Sequence, residues 1–136
     1  MASALMMSGA MAGDLTVTFT GIRSDKGKFS AALFREADNW PDGKAFVEVD
    51  IPPKPGDITY VFKDVPPGHY AISAFHDENG NGKFDTTFIG MPKEGFCFSN
   101  DAKPGLASPS FKAASFEVSH GPATASMHVE YWDSTR

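Results

Sequence analysis

The sequence has little of what several functional classes require. Cys97 is the only cysteine, so the chain can form no intramolecular disulfide and offers no cysteine cluster for structural zinc. The 12 basic residues are outnumbered by 17 acidic ones and form no cluster, which argues against binding to a nucleic-acid backbone. No apolar run approaches the roughly 20 residues that a membrane helix needs. We therefore expect neither a nucleic-acid partner nor a membrane span.

Signatures of catalysis are also missing. The four histidines are scattered, without the H-x-H or H-x-x-x-H spacing of a transition-metal site. There is no G-x-S-x-G sequence and no Cys-His signature of a nucleophilic enzyme. His76 and Asp77 are adjacent in a predicted strand, so their side chains point to opposite faces and make a poor catalytic pair. We expect no enzyme activity.

Glycine, proline and phenylalanine are abundant, with 13, 10 and 12 copies. They divide the chain into short segments of alternating polarity, such as Leu15, Val17 and Phe19 between threonines. The pattern predicts an all-β fold, namely an antiparallel two-sheet sandwich of about seven strands with long irregular loops, immunoglobulin-like or transthyretin-like. The predicted strands cover residues 14–20, 28–36, 45–51, 58–62, 69–76, 115–118 and 124–132, with short pairing at 86–90 and 96–98.

Three local features refine this prediction. The turn at Arg23–Gly27 lies between the first two strands, which we expect to form a hairpin. Ser110–Ala114 is expected to form one helical turn. Cys97 stands between two phenylalanines, as a buried and inert thiol would.

The N-terminal residues resemble the end of a secretory signal peptide. A short apolar run ends in the A-x-A pattern Ala10-Met11-Ala12, just before the polar Gly13-Asp14. We expect residues 1–12 to be a signal-peptide remnant or a disordered leader and residues 13–136 to be one domain. The expected location is the periplasm or the cell exterior.

The acidic stretch after the strand ending at His76 has the spacing D-x-N-x-N-G-x-x-D. Calcium binds six to eight oxygens, and a short loop supplies several when carboxylates and amides recur at alternate positions around a glycine. The spacing matches six positions of an EF-hand loop, but position twelve is Phe88 rather than glutamate, so an EF-hand is excluded. The expected ligands are Asp77, Asn79, Asn81, Lys83 through its carbonyl, and Asp85.

Another loop must complete such a site. Glu94 is the first candidate, followed by Asp101, Asp38 and Asp42. Two carboxylates alone predict weak binding, about 10⁻⁴ to 10⁻³ M, and calcium is favoured over magnesium because magnesium demands stricter geometry. The alternative is a metal-free loop, since Asn-Gly pairs are strong turn formers by themselves.

A second functional hypothesis rests on the aromatic residues. Trp40 and Trp132, with the long irregular segment Met91–Ser110, could form a small-molecule or carbohydrate site. The competing interpretation of Trp40 is a lid over one end of the core, because large aromatic side chains are mostly buried.

Several motifs carry a resemblance to known families. Gly68-His69-Tyr70 through HDENGNGKFD, then GMPKEGF and Pro109-Ser110-Phe111, resemble an exported bacterial family known as domain of unknown function 2141. That resemblance implies an exported β-sandwich and no activity. More distantly, PPGHY followed by the acidic loop is similar to the calcium-binding B-type repeats of bacterial surface adhesins. This second resemblance implies a transthyretin-like sandwich, with ligand roles for Asp77, Asn79, Asn81 and Asp85.

Together these observations predict an exported, non-enzymatic β-sandwich with a calcium-stabilised loop. Its role would be structural or adhesive at the cell envelope, with an envelope protein or a glycan as partner.

Overall fold

The computed structural model describes residues 13–41, 43–78, 95–102 and 109–131. Strands dominate these residues, and the helical content is two 3-10 turns (Glu36–Asp38 and Ser99–Asp101) and the four-residue helix α1 (Phe111–Ala114). No helix in this part of the chain has the length and apolar character needed to cross a bilayer. The described strands are β1 (Gly13–Ile22), β2 (Lys28–Arg35), β3 (Val47–Ile51), β4 (Gly56–Val65), β5 (Gly68–Asp77), β6 (Gly95–Phe98), β7 (Phe116–Val118) and β8 (Ala123–His128).

These strands form two sheets, so the predicted all-β sandwich is confirmed. The order in the three-stranded sheet is β4-β1-β8, and in the five-stranded sheet it is β3-β2-β5-β6, with β7 also pairing with β5. Every described strand pairing is antiparallel except that of β1 with β8, which is parallel. The exception follows from the connectivity, because β8 is reached from β7 in the other sheet and not through a hairpin.

The prediction that the first two strands form a hairpin is wrong. β1 belongs to the three-stranded sheet and β2 to the five-stranded sheet, so residues 23–27 cross from one sheet to the other. Alternating polarity identifies the buried face of a strand but not the sheet that the strand joins. The two apolar faces therefore meet across the core, where the rings of Phe19 and Phe29 lie 4.8 Å apart.

The core lies between the sheets and follows the predicted alternation. On the side of the three-stranded sheet, Leu15, Val17 and Phe19 are fully buried. On the side of the five-stranded sheet, the core-facing residues of β5 are buried. Burial of each such side chain contributes about 1.5–3 kcal/mol. Cys97 is only 2% exposed, and burial raises the pKa of its thiol well above the ordinary value, which agrees with the inert interpretation.

A smaller aromatic cluster covers the outer face of the five-stranded sheet. The ring of Trp40 lies 5.2 Å from Phe34, 6.0 Å from Phe98 and 6.3 Å from Phe111. Its indole N–H donates to the carbonyl of Pro109 at 2.8 Å. Trp40 is thus a packed cover, as the lid interpretation expected, although it covers the outside of one sheet and not an end of the main core. This packing weakens the hypothesis that Trp40 stacks on a ligand.

The helical turn predicted at Ser110–Ala114 is present as α1. The hydroxyl of Ser110 accepts a hydrogen bond from the backbone of Ala113 at 3.0 Å and so caps α1. The short helix holds Phe111 under Trp40.

Candidate functional site

The described part of the candidate ion site begins at Asp77, the last residue of β5. Asp77 is 1% exposed and lies opposite Lys28 in the β2–β5 register. Its side chain lines the outer face of the five-stranded sheet, on the side away from the core. The structure therefore fixes the first carboxylate of the acidic loop. The other predicted ligands lie outside the described residues: Asn79, Asn81, Lys83, Asp85 and Glu94.

The next residue, Glu78, is held by the crossover between the sheets. Nε of Arg23 donates to Oε2 of Glu78 at 3.1 Å, and the hydroxyl of Ser24 donates to the same oxygen at 2.8 Å. The pKa of Glu78 is lowered, chiefly by the hydrogen bond from Arg23, while partial burial opposes this shift. A pair that is only 28% and 19% exposed is restrained more firmly than a typical surface ion pair. The chain therefore enters the acidic loop from a fixed position.

His76 lies on the core side of the same strand end and is completely buried. Its Nε2 lies 2.7 Å from the carbonyl of Lys26, which can only accept, so Nε2 carries the proton and donates. Nδ1 therefore accepts from the hydroxyl of Tyr131 at 2.8 Å. Both ring nitrogens are thus occupied by protein partners.

Tyr131 links this strand end to the end of the described chain. Its hydroxyl also accepts the backbone N–H of Arg23 at 3.1 Å, and the Arg23 guanidinium lies 4.4 Å from the centre of its ring. Burial raises the pKa of Tyr131 to about 12. We call these contacts the anchor network, and its members are Arg23, Ser24, His76, Glu78 and Tyr131. The network joins three segments that are distant in sequence, beside the start of the loop.

No local sequence pattern predicts the anchor network. Arg23 and Ser24 lie in the predicted turn, and Tyr131 lies in the last predicted strand. Contacts between residues 55 or 108 positions apart have no local pattern, so only the fold brings them together.

Two of the further candidate ligands lie away from Asp77. Asp38 accepts two hydrogen bonds from the Arg35 side chain, at 3.0 and 2.7 Å. Arg35 pairs with Tyr70, at the other end of β5, which corresponds to roughly 24 Å from Asp77 at ~3.4 Å per residue. The structure therefore does not bring Asp38 to the acidic loop.

Asp101 is also engaged elsewhere. Its Oδ1 accepts from the backbone N–H of His128 at 2.8 Å, and it follows Phe98, which pairs with Ser73. Asp42 lies outside the described residues. Within residues 13–41, 43–78, 95–102 and 109–131, no group of three His, Cys, Asp or Glu side chains is placed to hold a metal ion.

Comparison with known proteins gives one positive result. The family model described as "Uncharacterized protein conserved in bacteria (DUF2141)" matches residues 17–126, which is most of the chain. The motif resemblance to that family is therefore confirmed. No curated protein and no solved structure matches the chain.

Proposed function

The chain belongs to this bacterial family, and we propose that it is an exported, non-enzymatic β-sandwich whose acidic loop binds calcium. One observation carries the proposal: Asp77 is buried at the end of a regular strand, immediately before the alternating acidic and amide residues. The end of the strand therefore holds one carboxylate at the first position of the loop. The loop sequence adds further carboxylate and amide oxygens, which are the ligands that calcium prefers.

The proposed calcium ligands are all oxygen atoms. Asp77 and Asp85 supply carboxylates, Asn79 and Asn81 supply amide oxygens, and Lys83 supplies its backbone carbonyl. Calcium needs at least one more oxygen in its usual coordination of six to eight.

Glu94 is the proposed additional ligand. It directly precedes Gly95 in the sequence, and Gly95 pairs with His76, the residue before Asp77. The proposed loop therefore starts and ends on neighbouring strands, as a closed ion-binding loop requires.

The anchor network supports calcium-dependent ordering of this loop. It fixes the residue after Asp77 on one side through Arg23 and Ser24. A ligand that is already positioned loses little conformational freedom on binding, so less of the binding free energy is spent on ordering.

The groups best suited to catalysis are already engaged, which supports the proposal of a non-enzymatic protein. Both nitrogens of His76 have protein partners, and Cys97 is buried with a raised thiol pKa. The resemblance to adhesin repeats supports a structural or adhesive role at the cell envelope. The leader-like residues 1–12 support a periplasmic or secreted location.

A thermal melt with calcium and with chelator tests the ion site. At calcium a hundredfold above Kd, the native state gains about 2.7 kcal/mol. Asp85→Ala should abolish most of this gain. Asp57→Ala is the matched control, since Asp57 is exposed in β4 and should leave the gain intact. An equal response to magnesium, or no response at roughly 10 mM calcium, contradicts the proposal.

A further inference from the structure

The strand β4 forms one edge of the three-stranded sheet. It pairs with β1 along one side, and no other strand in the described part of the chain pairs with it. Its pairing with β1 is regular over residues 58–62, and register shifts interrupt the pairing at both ends of that stretch. An unpaired edge presents a row of N–H and C=O groups that can pair with another strand. The regular stretch of β4 is therefore a template for one more strand.

Two other sheet edges are poorly suited to pairing with a copy of themselves. The edge at β8 is covered, because the Asp101 carboxylate accepts the backbone N–H of His128 at 2.8 Å. The edge at β3 carries two exposed side chains, Glu48 and Asp50, and both are acidic. Two antiparallel copies of β3 centred on Val49 would place these like charges opposite each other, which is destabilising.

The side chains of β4, in contrast, are complementary to those of a second copy of β4. When two copies pair antiparallel about a two-fold axis at Tyr60, residues at equal distances from Tyr60 lie opposite each other. Opposite charges then meet at both ends of the paired stretch, and apolar residues meet on the core side. A register shifted by two residues removes both charge pairs. The opposed residues are Asp57 with Lys63, Ile58 with Phe62, and Thr59 with Val61.

Both charged side chains are free to make this contact. Asp57 is exposed and has no hydrogen bond or ion pair with any residue that the structure describes. Lys63 lies 3.0 Å from Asp14, but its side chain is 72% exposed and its ammonium group has three donors, so it can also bind a second carboxylate. Val61 is an exposed large hydrophobic residue on the same face, and strand pairing would remove part of its surface from water.

We propose that the protein forms a two-fold symmetric dimer in which β4 pairs antiparallel with β4 of a second copy, centred on Tyr60. The pairing joins the two three-stranded sheets into one continuous sheet, with an Asp57–Lys63 ion pair at each end. One short stretch from each copy makes the contact, so the interface falls in the small class that buries less than about 1,200 Å². The dimer is therefore weak and forms at high protein concentration. Thermal melts at micromolar concentration report on the monomer.

Analytical ultracentrifugation of the whole protein, over a dilution series up to roughly 0.5 mM, tests the dimer. The average mass should rise with concentration from the 14.6 kDa of one chain towards twice that value, and high salt should reduce the rise. Lys63→Glu should keep the protein monomeric, and so should Asp57→Lys, which leaves the contact of Lys63 with Asp14 intact.

Two controls show whether the charge pair is responsible. The double variant Asp57→Lys/Lys63→Glu exchanges the two charges and should restore the dimer. Lys112→Glu reverses an exposed lysine on α1 and should dimerise like the wild type. Circular dichroism checks that each variant is folded.

Cross-linking tests the register of the two strands. Thr59→Cys and Val61→Cys place thiols at exposed positions that face each other in the dimer. Opposed Cα atoms are about 4.5–5.5 Å apart, which is within the reach of a disulfide. Under mild oxidation, an equimolar mixture of the two variants should give more disulfide-linked dimer than either variant alone. The buried Cys97 should not compete.

Three results would overturn the inference. One is a monomer at every concentration, and another is unchanged dimerisation in Lys63→Glu. The third is equal cross-linking in the mixture and in the single variants, which would show that Thr59 and Val61 do not face each other. None of these experiments requires calcium, so they test the dimer separately from the acidic loop.

Discussion

Tyr131→Phe isolates one hydroxyl in the anchor network. The substitution keeps the ring and therefore keeps its contact with the Arg23 guanidinium at 4.4 Å. It removes the donor to His76 Nδ1, at 2.8 Å, and the acceptor for the Arg23 backbone N–H, at 3.1 Å. His76 is fully buried, so water cannot replace the lost donor without a structural change.

An unsatisfied buried polar group costs about 1–3 kcal/mol. The Arg23 N–H is only partly buried and regains water, so we expect Tyr131→Phe to lose about 2 kcal/mol of unfolding free energy. For a chain of this size that lowers Tm by roughly 8 °C.

Urea unfolding and a thermal scan measure this change, with Tyr60→Phe as the matched control. Tyr60 is also partly buried and packs at 4.9 Å from Phe62, but its hydroxyl bonds to none of the described residues. We expect the control to stay within about 0.5 kcal/mol of the wild type. An equally small change in Tyr131→Phe would show that the Tyr131 hydroxyl does not stabilise the anchor network.

Three further predictions concern other buried groups. Ser99→Ala should lower the unfolding free energy measured in urea by about 2 kcal/mol, because the hydroxyl of Ser99 bridges two backbone groups in the core. Ser115→Ala, which removes an exposed hydroxyl, is the control and should lower the unfolding free energy by less than half as much. Glu78 has a pKa below its ordinary value of 4.5, so the stability it contributes is complete above that pH and is lost as pH falls through the lowered pKa. Acid titrations of unfolding should therefore be steeper for the wild type than for Glu78→Gln, and parallel curves would contradict the ion pair with Arg23. Cys97 should not react with a thiol reagent in the native protein and should react fully in denaturant; rapid native labelling would show that it is not buried.

The strands were predictable where a local pattern determines them. Leu15, Val17 and Phe19 alternate with threonines, and such alternation requires one buried face whatever the topology is. The helical turn at Ser110–Ala114 was also predicted, and in the structure the Ser110 side chain caps it. These features depend on residues within a few positions of one another.

The sheet membership and the anchor network were not predictable. Whether residues 23–27 form a hairpin or cross between sheets depends on how the whole chain pairs its strands. Tyr131 reaches His76 only because the residues after β8 pass over β6, where Phe96 and Glu130 pair. The sequence identified Asp77 as a ligand candidate but contained no sign of the residues that hold the loop entrance.

Amide hydrogen exchange of residues 79–94, measured with calcium and with chelator, tests the proposed calcium site most directly. Calcium should slow exchange in this segment, while the core strand around Ile72 is affected much less. Asp85→Ala should remove the calcium effect. Identical exchange of residues 79–94 with and without calcium, at a concentration of roughly 10 mM, would contradict calcium binding by the acidic loop.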